Sequence, residues 1–150
     1  IITSFEDALA AYTVLTAYIP MLMDTGGNSG GQASVTIIRA LSLEEIEFSD
    51  IFRVIWKESR VAILCGLTLS ICNFVKLLLL DRVTVQVALV VFITLAVTVL
   101  MAKIIGCTLP ILAKKIGFDP AVMASPFITT IVDAISLIVY FRVASIFLGI

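Results

Sequence analysis

Between Val83 and Leu112 the chain runs for thirty residues with a single charged side chain, Lys103. A helix needs roughly 20 predominantly apolar residues to cross the hydrocarbon core of a bilayer. This run therefore crosses with length to spare and must tilt, kink near Gly106 and Pro110, or protrude. Three further stretches share its character: about Ala8 to Ala40 with a glycine-rich interval inside it, about Val61 to Leu80, and Asp119 to about Leu148. With 61% hydrophobic residues, 14% charged and a mean hydropathy of +1.17, the 150-residue chain is far too apolar for a soluble domain. The expected fold is an all-α membrane protein, a helical bundle of four transmembrane helices embedded in a lipid bilayer.

The same composition removes several function classes. A net charge of -1 without a basic stripe leaves nothing to meet nucleic-acid phosphates. No histidine is present, so an HExxH zinc site and a Ser-His or Cys-His nucleophile are excluded, and the chain reads as a non-enzyme. Cys65, Cys72 and Cys107 lie inside apolar spans and are expected to pack as small apolar residues rather than to form a disulfide. The chain opens at Ile1 with no basic n-region or cleavage site and reads as a fragment or excised domain.

Within the last stretch, DPAVMASPFITTIVDAISLIVYF from Asp119 to Phe141, a carboxylate sits mid-helix at Asp133. An acid at that depth costs about 2.5 to 3.5 kcal/mol even on lenient scales, so it is expected to face protein, water or an ion. Thr129 and Ser136 fall four and three residues from it, Ser125 and Tyr140 lie four residues beyond each of those, and all four share its face. Pro126 removes one amide bond from this helix and leaves the Val122 carbonyl without its partner. Asp119 followed by Pro120 is an N-cap with proline at the first helical position.

The glycine-rich interval, Asp24 to Gln32, allows three readings. As continuous helix it stacks Asp24, Asn28 and Gln32 at i, i+4, i+8 and makes the pairs Gly26/Gly30 and Gly27/Gly31 docking sites for another helix. As unwound backbone it exposes carbonyls and amides to a cavity. As tight packing alone it explains the glycines but not the three polar side chains.

The polar stretch from Ser42 to Arg60 carries Glu44, Glu45, Glu47 and Asp50 ahead of Arg53, Lys57, Glu58 and Arg60, with Trp56 at its boundary. It is expected to be an amphipathic interface helix whose charges form a solvated face. Lys76 is expected to snorkel toward Asp81 and Arg82. Lys103 either snorkels toward Lys114 and Lys115 or pairs with an intramembrane acid, and its position favours the former. Seven lysines and arginines flank the first and third connections against three on the other side, which puts those two connections in the cytoplasm. Both chain ends then face outward, and cytoplasmic regulatory parts at the N-terminus require one more span ahead of Ile1.

PMLMDTGGNSGGQ at Pro20 to Gln32, together with the Asp119 to Phe141 stretch, closely resembles the membrane domain of the MgtE family of magnesium channels, from about Phe5 to Gly149. The resemblance implies that residues 1–150 are a transmembrane domain lacking the family's first helix. It also implies a homodimer with the pore on its axis, lined by the first and fourth helices of this chain. Asp133 then matches the pore aspartate that holds a hydrated magnesium ion, and Asn28 the asparagine of the glycine-rich motif. Thr129 falls where some members have a smaller residue, Ser125 where some have asparagine before the proline, and Asp24 where many have glycine. The implied location is the cell (plasma or inner) membrane, multi-pass, and the cytosolic N-terminal and CBS sensor domains lie outside this chain.

Oxygen chemistry agrees independently, because magnesium prefers hard ligands and keeps its waters, so one or two carboxylates beside a watery site suit it. The candidate metal residues are Asp133, Asn28, Thr129, Ser125, Asp24 and Gln32, with Mg2+ as the transported ion. Two other classes use intramembrane acids. An ion-coupled carrier would show flux that depends on a second gradient, and an aspartyl protease would need Asp24 and Asp133 as a dyad. Neither acid has a GxGD or Tyr-Asp setting. A non-conducting structural module is the remaining alternative.

Overall fold

Each long helix begins where a local signal asks for one. In the computed structural model, which describes residues 1–2 and 13–149 apart from the side chains of 123–125, four α-helices follow one another. After a 3-10 segment, Thr13–Tyr18, α1 (Ile19–Ser42) starts with Pro20 in its first turn, where a missing amide hydrogen matters least. A reciprocal cap between Glu47 and Asp50 closes the 3-10 turn Phe48–Asp50, and α2 (Ile51–Leu79) grows from it. Thr84 caps α3 (Val85–Lys115) by accepting from the Val87 amide. Asp119 caps α4 (Pro120–Leu148) as expected, with Oδ1 accepting from the Ala121 amide at 2.9 Å. Gly149, at φ +72°, then ends α4 in the left-handed conformation that glycine takes at little steric cost.

Among the described residues three helical stretches are long and apolar enough to cross a membrane: Phe48–Leu79, Val85–Lys115 and Pro126–Leu148. α1 is less apolar because its middle carries Asp24, Asn28 and Gln32, yet it packs in the bundle beside α3 and α4. The separate interface helix expected over Ser42 to Arg60 is instead continuous with the span after it. No glycine or proline interrupts the chain between Asp50 and Gly66, so nothing halts the helix at the interface.

α3 occupies the centre and touches α1, α2 and α4. Small residues set these approaches. Gly106 of α3 lies directly against the Gly30 backbone of α1, so close that an added Cβ would collide with the Gly30 carbonyl. Gly66 brings α2 within reach of the Ala96 carbonyl and Val99. Apolar clusters fill both ends of the bundle, one around Leu22, Val87, Val91 and Phe141, the other around Ile37, Val54 and Ile111.

Two charged side chains depart from expectation. Lys103 does not snorkel, and Glu58 does not belong to a solvated face. They meet between α3 and α2 with Nζ 3.6 Å from Oε2, each side chain only 11% exposed. Val54, Glu58, Ala62, Gly66 and Ser70 recur every four residues and form the buried stripe of α2, which carries Glu58 inward. Lys76 behaves as expected, pairing with Asp81 at 2.6 Å, and Tyr18 donates to the same carboxylate oxygen. Cys65 and Cys72 are exposed, Cys107 is buried, and all three are free thiols.

Candidate ion-binding groove

The glycine-rich interval is helical throughout, so the unwound-backbone reading fails; the continuous-helix reading holds for the Asp24, Asn28, Gln32 stack and for Gly26/Gly30, but Gly27/Gly31 docks no helix within the described residues. Helical geometry then sorts its residues onto two faces. Gly26 and Gly30 are buried: a Cβ on Gly26 would meet Thr98 and Val132 at 2.8 Å, and one on Gly30 would meet Ile128 at 2.8 Å. Asp24, Asn28 and Gln32 are exposed on the other side, with Gly27 and Gly31 between them.

That second face forms one wall of a groove of ≈ 870 Å³ whose opposite wall comes from α4. Asp24, Asn28, Gln32, Thr129 and Asp133 all line it, so five of the six residues read from the sequence converge on one feature. The side chain of the sixth, Ser125, lies outside the described residues. Asp133 is half-buried and the other four are exposed. Among the described residues neither Asp24 nor Asp133 has a lysine or arginine within ion-pair distance. The carboxylates are thus left facing the groove, while the acid of the neighbouring seam, Glu58, is paired.

Hydroxyl groups are oriented to match. Thr129 Oγ1 donates to the Pro126 carbonyl at 3.1 Å, and Thr36 Oγ1 donates to the Gln32 carbonyl at 3.0 Å. Each hydroxyl donates to a carbonyl of its own helix. The wall therefore presents carboxylate, amide and acceptor oxygen, a set suited to a hard cation or to the waters around one.

The polar face of α4 does not stay open along its length. Ser136 is buried behind Gly26 and donates to the Val132 carbonyl at 2.7 Å. Tyr140 is fully buried and donates to the Leu15 carbonyl at 2.9 Å, because the 3-10 segment before α1 covers the face at that level. Neither lines the groove. Conversely, Thr36 and Ser34 line it without having been singled out. Thr36 continues the series Asp24, Asn28, Gln32 by one more step of four, a signal the sequence did carry. Ser34 has a buried hydroxyl oxygen with no hydrogen-bond partner among the described residues and had no such signal.

Comparison with known proteins identifies the family. A family model named MgtE, described as a divalent cation transporter, matches residues 19–143. This chain belongs to the MgtE family. Among curated relatives, a magnesium transporter MgtE of Thermus thermophilus is 38% identical over 154 residues, and one of Bacillus subtilis is 34% identical over 148. A third, from Enterococcus faecalis, is 28% identical over 151 residues. Each alignment covers 99% of this chain but only 32 to 33% of the relative, so the chain spans about a third of the length of these MgtE proteins. Both wall-forming stretches, Asp24 to Thr36 and Thr129 to Asp133, fall inside the matched MgtE region.

Proposed function

We propose that this chain is the membrane-embedded part of a magnesium transporter and that the α1–α4 groove is half of its ion path. The observation that carries the reading is Asp133: a carboxylate on a membrane-crossing helix, without a cationic partner among the described residues, facing a groove lined by oxygen groups. Its setting in an MgtE chain, whose relatives are named magnesium transporters, supplies the ion.

An open groove with an acid on its wall invites a second copy. Two chains related by a two-fold axis along the groove would present each acid twice, and closed cyclic symmetry is the common arrangement of homo-oligomers. Two Asp133 carboxylates then attract a divalent ion that keeps its water shell, because magnesium dehydrates reluctantly. Asn28, Gln32, Thr129 and Ser125 accept hydrogen bonds from those waters, and Asp24 adds charge at the end of the wall. The protein acts by transport rather than catalysis, as a multi-pass component of the cell membrane. Cytosolic sensor domains belong to the remainder of such a protein.

Magnesium flux into liposomes containing the full chain tests this, comparing wild type with Asp133→Asn. Flux is expected to fall at least tenfold in the variant with helicity and oligomeric state unchanged. Equal, magnesium-selective flux in both would overturn the assignment of Asp133. Calorimetric titration of magnesium onto the same two proteins then shows whether the ion itself has left the groove.

A further inference from the structure

Where α1 ends and α2 begins, a second cleft of ≈ 500 Å³ opens, sharing only Thr36 with the lining of the groove. Arg39 from the last turn of α1 and Arg53 and Lys57 from the start of α2 line it, and all three side chains are exposed. Two acids also line it, Glu45 and Glu58. Glu58 is already neutralised by Lys103 from the far side, at 3.6 Å. Arg53 pairs with Asp50, but at 3.6 Å and with its side chain 83% exposed, so that contact holds it weakly. Three cations thus face one uncompensated acid, Glu45, and the balance favours an anion.

The position of the cleft selects the kind of anion. α2 belongs to a helical stretch, Phe48–Leu79, long and apolar enough to cross a membrane, and its charged first turns are the end suited to headgroup level. Phe52 and Trp56, 82% and 69% exposed, stand on those same turns as aromatic side chains do at a membrane interface. Guanidinium and ammonium groups converging from two helices bind phosphate oxygens, and basic pockets between membrane helices at this depth hold acidic headgroups.

We propose that the cleft between the end of α1 and the start of α2 binds the phosphate of an acidic phospholipid through Arg39, Arg53 and Lys57, with the lipid tails passing the exposed Phe52 and Trp56. A free phosphate would need no aromatic neighbours, and the bilayer supplies the lipid continuously. This site rests on the membrane placement of the chain and not on the magnesium reading.

Native mass spectrometry of the full chain, released from detergent with phosphatidylglycerol or phosphatidylcholine, tests the proposal. Wild type is expected to retain phosphatidylglycerol in preference to phosphatidylcholine. Arg39→Gln with Lys57→Gln should weaken that retention about 25-fold, on the basis of roughly fivefold for each basic group removed. Arg60→Gln removes an exposed charge on the same helix but outside the cleft and should leave retention unchanged. Equal retention of the two lipids overturns the site, as does a loss in Arg60→Gln matching that of the double variant. Displacement of the lipid by millimolar inorganic phosphate alone would overturn the lipid as its ligand.

Discussion

Two faces of α1 come from one nine-residue stretch and do opposite things. Gly26 and Gly30 lie against α3 and α4 with no room for a methyl group, whereas Gly27 meets only Thr129 Cγ2 at 3.5 Å and Gly31 has nothing within 4 Å. On the first face the absent side chain lets backbones touch, the way small residues drive helix association in a bilayer. On the second it widens a groove between Asp24, Asn28 and Gln32. Two acids of the bundle divide in the same way. Glu58, in the packed seam, is matched by Lys103, while Asp133, on the open wall, faces no lysine or arginine among the described residues. Packing therefore goes with neutralised charge, whereas the groove wall carries an acid with no lysine or arginine beside it among the described residues.

The contrast can be broken most forcefully at the seam. Lys103→Ala leaves Glu58 buried and unpaired, and loss of one partner of a buried pair costs about 3 to 5 kcal/mol. A chemical-denaturation midpoint measured in detergent should drop accordingly, with Lys103→Met/Glu58→Met recovering much of the loss. Gly106→Ala comes next, because its Cβ collides with the Gly30 backbone and overpacking costs about 1 to 3 kcal/mol or more. Retention of wild-type stability there would show that α1 and α3 are not held backbone to backbone.

On the open face the effects are smaller and their sign changes. Gly31→Ala meets no atom within 4 Å in the single chain and removes a glycine from a helix interior, so the isolated chain should gain up to about 1 kcal/mol. The same variant sharpens the comparison further. If two copies meet along the groove, it should shift the monomer–dimer equilibrium toward monomer, as read by sedimentation. Gly27→Ala should gain no more than Gly31→Ala, because it too removes a helix-interior glycine but its Cβ would touch Thr129. Its effect is read in magnesium flux as well as in the denaturation midpoint.

Much of this was legible before any coordinates. Asp119 and Pro120 announce the start of α4, and the four-residue spacing of Asp24, Asn28 and Gln32 places them on one face once the segment is helical. The charge at Asp133 marks itself as unusual because a bilayer tolerates few such residues. Less legible were Glu58 and Lys103, since one sits among charges that resemble a solvated surface and the other near basic residues that suggest snorkelling. A hint existed in the recurrence Glu58, Ala62, Gly66, Ser70, which is a packing stripe with an acid at one end. Ser136 and Tyr140 share the face of Asp133 in sequence, yet Gly26 and the segment before α1 cover them.

The sequence alone thus determined the membrane class, the four helical segments and the polar stripe that carries Asp133, because hydropathy and the 3.6-residue repeat are properties of the chain itself. Which glycines pack and which open, which acid is paired, and where the polar face of α4 is covered emerged from the packing of the helices. Those outcomes depend on what the neighbouring helix presents at the same level, and a residue's own neighbours in the chain do not encode that.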